Sequence, residues 1–191
     1  MHKKLFTMFV QTALFFSLTT FASVQAYEEY LKYDTHVAID TPESRHLTLE
    51  DGSEWKVSDT DLDELYQWFA RSAIAPVVIN PNYGSSKSYY GYYLTNEETG
   101  SYVKANLVRA PSKENTNTVT IRGLEKNSYD RGCIYLSNGT FWWISYSDLK
   151  LLKNWHIDDL VIVGKNTEWF SYETHILINI DANTFVRAQR I

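Results

Sequence analysis

The most constraining feature of this chain is that it resembles itself. Residues His46–Trp68 align with Cys133–Trp155 at a constant offset of 87, and eight of the 23 pairs are identical, Trp55/Trp142 and Trp68/Trp155 among them. Ordinary composition would give about one or two identities by chance. Beyond Trp68 the first copy carries four extra residues around Arg71–Pro76, after which the offset becomes 83. Eight further identities follow, including Val78/Val161, Ile79/Ile162, Tyr89/Tyr172, Leu94/Leu177, Asn96/Asn179 and Val103/Val186. A unit repeated at this spacing must fold twice, and positions shared by the copies are those the fold itself requires.

Each copy opens with two alternating apolar runs about a tight turn. Leu47 and Leu49 lead into Asp51-Gly52 and then Trp55 and Val57, while Ile134 and Leu136 lead into Asn138-Gly139 and then Trp142 and Ile144. Asp-Gly and Asn-Gly between such runs are strong hairpin signals. A two-residue loop would put the leucines and the tryptophan on opposite faces. A three-residue loop, Glu50-Asp51-Gly52, with its glycine in a bulge pairs Leu47 with Trp55 and gives one buried side. Ser58-x-x-Asp61 and Ser145-x-x-Asp148 have the form of a helix capping box. Leu62, Leu65 and Trp68, and Leu149, Leu152 and Trp155, then recur at helical spacing. Three strands follow in each copy: Val77–Asn80, Tyr89–Thr95 and Ser101–Val108, then Leu160–Val163, Tyr172–Ile178 and Thr184–Ile191. The expected fold is mainly β with short helices, two tandem β-β-α-β-β-β units resembling small SH3 or OB barrels. A unit of that size is marginal alone, so the copies are expected to pack on each other. Thr35–Ile39 and Thr118–Leu124 read as a leading strand for each. The expected divisions are 1–26, 27–109, a linker at 110–117, and 118–191.

Residues 1–26 read as a secretory signal: Lys3 and Lys4, an apolar run from Leu5 to Ala22, and small residues Val24 and Ala26 before a cleavage point. Cleavage would remove two of the 18 basic side chains and none of the 23 acidic ones, leaving a chain more acidic than the overall net charge of −5. An acidic product without clustered lysine or arginine disfavours nucleic acid and anionic membranes as partners. No second apolar run of spanning length follows, so the product is expected to lack a membrane span and to be periplasmic or secreted. Cys133 is the only cysteine, which excludes an internal disulfide.

No catalytic constellation emerges. His36, His46, His156 and His175 do not correspond across the copies, and none forms a metal-ligand motif. There is no nucleophile elbow and no phosphate-cradling glycine loop, and no cofactor or metal is expected. The aromatic loop and strand of the first copy, with Tyr83, Tyr89, Tyr90, Tyr92 and Tyr93, stand out, matched in the second by Trp169, Phe170 and Tyr172. Aromatics at consecutive strand positions cannot all share a face, so some should be exposed as a contact surface for a protein, peptide or glycan. The sequence therefore favours an exported binding module over a small envelope hydrolase, which would need a histidine and a carboxylate brought together across the copies, or a structural envelope component.

The run DGSEW, a helix ending in Trp68, and the strands VVIN and YYLTN resemble small exported bacterial proteins that carry a repeated DGS-x-W β-rich unit. The resemblance implies a small β fold and a cell-envelope or secreted address, and no particular activity. The second copy departs from the pattern, with Asn138-Gly-Thr140 in place of Asp51-Gly-Ser53.

Overall fold

The computed structural model describes residues 33–39, 45–70, 72–83, 91–126 and 132–191. The secretory segment proposed above lies outside the described residues, as do Tyr89 and Tyr90.

The hairpins follow from their turns. Strands β2 (His46–Thr48) and β3 (Glu54–Val57) pair with Leu47 opposite Trp55. Gly52 takes φ +81°, and the Leu49 N–H bonds the Ser53 carbonyl at 3.0 Å. The bulged three-residue loop is thus the one formed. Strands β8 (Gly132–Leu136) and β9 (Phe141–Ile144) repeat it, with Ile134 opposite Trp142 and Gly139 also at φ +81°.

The helical segments differ from expectation in two respects. Neither Ser58 nor Ser145 caps a helix through its side chain. Asp61 and Asp148 instead accept hydrogen bonds, both 2.8 Å, from the backbone N–H of Lys104 and Arg187 on the last strand of each half. These carboxylates tie helix to sheet, a long-range role that leaves the same trace in sequence as a cap. The first segment is a short 3-10 turn (Asp59–Asp61) leading into α1 (Leu62–Phe69), whereas Tyr146–Asn154 is 3-10 throughout. Leu149, Leu152 and Trp155 recur every three residues, the period that a 3-10 helix aligns on one face.

The remaining strands are β1 (Thr35–Ala38), β4 (Ala75–Pro81), β5 (Tyr92–Asn96) and β6 (Tyr102–Arg109), then β7 (Val119–Lys126), β10 (Leu160–Lys165), β11 (His175–Asn179) and β12 (Thr184–Arg190). The second half is a closed six-stranded barrel, β10-β11-β12-β9-β8-β7; the first is a six-stranded sheet in the corresponding order, β4-β5-β6-β3-β2, with β1 beside β4. Its outer strands meet at an Ala38–Leu49 bridge, where Glu50 N–H reaches the Val37 carbonyl at 2.9 Å. The leading strand is therefore a full sixth member of each sheet.

Pairing also revises one alignment. Leu94 faces Ile79 across β4–β5, and Leu177 faces Val163 across β10–β11. Ile79 is thus the structural counterpart of Val163, one residue beyond the counterpart that sequence identity assigns. In short runs of Val and Ile, identity does not fix which face a residue occupies.

The buried indoles have like surroundings in the two halves. Trp55 and Trp142 donate to the hydroxyls of Ser53 and Thr140, at 3.0 and 2.7 Å. Trp68 and Trp155 donate to Ser101 and Thr184, each at 2.8 Å. Trp55 meets Tyr92 edge-on, and Trp142 meets His175 in the same way. The halves pack together: Ile162, Ile176 and Ile178 of the second join the buried cluster of the first. At Gly164 a Cβ would stand 2.4 Å from the Ile79 carbonyl oxygen, so main chain approaches main chain across the seam. Residues 110–118 lie against the first hairpin turn, where the Asn115 side-chain amide donates to the Glu50 carbonyl at 2.7 Å. Among the described residues no helix is long and apolar enough to cross a membrane.

Candidate functional site

The β10–β11 connection is a loop that projects its aromatics. Trp169, Phe170 and Tyr172 are 82%, 92% and 94% exposed, and Trp169 and Phe170 meet edge-to-face at 5.7 Å. The loop is anchored at its base. Asn166 N–H bonds the Thr174 carbonyl at 2.9 Å, its amide donates to the Glu173 carbonyl at 2.7 Å, and its Oδ1 accepts from Glu168 N–H. Arg187 reaches Glu168 Oε2 at 2.7 Å while holding Asp148 through two nitrogens. Phe170 adopts φ +73°, a left-handed conformation unusual for a bulky residue. The aromatics are thus presented from a fixed base.

Two hollows flank this loop. One, of about 500 Å³, includes Tyr83, Asp148, Glu168, Phe185 and Arg187 in its lining. Its charges are already paired with one another. Although burial opposes ionisation of Asp148, the bonds from Arg187 hold its carboxyl below the usual range. Burial first, then the Glu168 charge, pushes the Tyr83 phenol up to about 12, with Arg187 opposing. Tyr83 donates to Asn166 Oδ1 at 2.9 Å and packs on Phe185, so it links the halves. The other hollow, of about 310 Å³, is lined by Asn80, Tyr93, Thr95, Tyr102 and Thr167. Tyr93 and Tyr102 meet edge-to-face there at 5.1 Å.

Of the aromatic residues singled out by sequence, Trp169, Phe170 and Tyr172 share the loop and Tyr83 stands beside it. Tyr92 turns inward, half-buried against Trp55, and burial raises its phenol's pKa. Alternation then sends Tyr93 outward, and it forms an aromatic wall with Tyr102, the member that sequence reasoning missed. Comparing the copies could have found it, since Tyr93, Thr95 and Tyr102 match the apolar Ile176, Ile178 and Phe185.

The histidines do have carboxylate neighbours. His36 Nδ1 lies 3.4 Å from Glu50, His46 2.8 Å from Glu54, His156 4.0 Å from Asp159, and His175 3.3 Å from Asp34. None of the four lines either hollow. His36 and His175 are buried, the latter beside Tyr33, whose ring also carries the Arg190 guanidinium at 4.1 Å. These pairs join segments of the fold. Among the described residues no group of three or more His, Cys, Asp or Glu side chains could hold a metal.

No protein-family model, curated protein or solved structure matches the chain.

Proposed function

We propose that this chain is an exported binding module built on two small SH3/OB-like barrels, engaging its partner through the Trp169–Tyr172 loop and the adjoining surface around Tyr83. The observation that carries this reading is the loop itself: three large aromatics, each more than four-fifths exposed, on a connection fixed by its own hydrogen bonds. Clustered exposed aromatics are enriched at contact surfaces, because they supply area at small entropic cost. None of the histidine–carboxylate pairs lines either hollow, which favours binding over hydrolysis. The N-terminal apolar segment with its small-residue ending supports the exported address.

A cross-linked pull-down from envelope extracts, comparing the Tyr27–Ile191 chain with W169S/F170S/Y172S, tests the proposal. Because these side chains touch little of the core, the variant should melt like the parent while capturing its partner at least tenfold less, a change of about 1.4 kcal/mol. Equal capture by both chains would remove the loop from the interface.

A further inference from the structure

The duplication provides an internal reference for the smaller hollow. On the outer face of the second half, Gly164 pairs with Ile176 and Ile178 with Phe185. The same ladder positions of the first half pair Asn80 with Tyr93 and Thr95 with Tyr102. In the second half this face carries glycine and three apolar residues and packs against the first. In the first half it carries an amide, two phenols and a hydroxyl, and it lines a hollow under Thr167.

Asn80 is only 6% exposed. Its amide nitrogen donates to Thr95 Oγ1 at 2.8 Å, but its Oδ1 has no partner among the described residues. A buried carbonyl without a donor is costly and rarely left so. Tyr102 stands largely in solvent above it, edge-on to Tyr93. The five described lining residues are neutral: aromatic faces, hydroxyls that donate and accept, and one acceptor in need of a donor. At about 310 Å³ the hollow is at the small end of ligand sites.

We infer that this hollow is a subsite for an uncharged sugar ring, which stacks its C–H face on Tyr102 and gives a hydroxyl or acetamido N–H to Asn80 Oδ1. The described lining residues offer no counter-charge to a sugar acid or phosphate, whose charge would lose water on entry. A peptide adding as a strand needs a free sheet edge, and the second half is closed while the outer strands of the first meet at Ala38–Leu49. The inference rests on the binding-module reading and names its ligand class.

The test is an array of neutral hexose and N-acetylhexosamine oligosaccharides, with uronate oligomers alongside, probed with the Tyr27–Ile191 chain. Saturation-transfer NMR titration of the strongest neutral hit would follow. Binding to a neutral oligosaccharide should weaken at least tenfold in Y102A and in N80A. Tyr102 is exposed, so Y102A keeps the test valid even if N80A misfolds. A neutral hit whose affinity is unchanged in Y102A would overturn the subsite, as would binding confined to uronates. If no neutral sugar binds while partner capture still depends on Trp169, Phe170 and Tyr172, the sugar assignment falls and the binding module stands. If both fail, both readings fall.

Discussion

His36 sits where the halves meet, with Nδ1 3.4 Å from Glu50 Oε1 and Nε2 2.8 Å from the Val163 carbonyl. Burial by itself would drive its proton off. The hydrogen bond and charge of Glu50, joined by the charge of Asp51 and the Val163 carbonyl, outweigh that and raise its pKa from 6.5 to about 9. The folded form therefore binds this proton more tightly than the unfolded form does. The stabilisation is present in full below pH 6.5, declines as pH rises, and is lost above about 9. Its size is on the order of 3 kcal/mol. Urea denaturation between pH 6 and 10 should show the stability of the parent falling across this window. The H36Q chain, less stable at pH 6, should show a flatter dependence, and parallel curves would show that His36 does not carry the charge.

At the scale of elements, local chemistry was the most legible. The Leu47–Trp55 register follows from alternation and a glycine that must adopt positive φ, both confined to a few residues. Gly139 has nothing within 4 Å of a Cβ, so Gly139→Ala tests that conformation alone. It should cost about 1–2 kcal/mol in denaturant unfolding, the penalty of a left-handed alanine. A loss of only a few tenths would mean the turn can relax into another form. What sequence misread depended on distant partners. The Ser-x-x-Asp signature describes a cap equally well when the carboxylate is taken by Lys104 or Arg187 on a far strand. The β4 and β10 runs, rich in β-branched residues and buried on both sides, carry no alternation from which to read a face. Tyr102 escaped notice because its exposure is decided by where the second half packs.

Across the whole molecule, the seam makes one body of two similar halves. Tyr33, ahead of the first sheet, packs edge-on against Trp142 of the second, and Ile176 and Ile178 return the contact. At Gly164 the two main chains come close together. An added methyl there would collide with the Ile79 carbonyl, which cannot move without its strand. Gly164→Ala should cost about 1–3 kcal/mol, the usual range for overpacking, and broaden unfolding as the halves lose their coupling. A sharp transition at the parent's midpoint would show a seam with slack.

Closure has a consequence for behaviour in crowded solution. In the second half every strand is flanked on both sides, and in the first the outermost pair meets at Ala38–Leu49. Among the described strands there is thus little unsatisfied amide ladder for another molecule to copy. For these strands topology itself limits the edge-to-edge pairing from which fibrils grow.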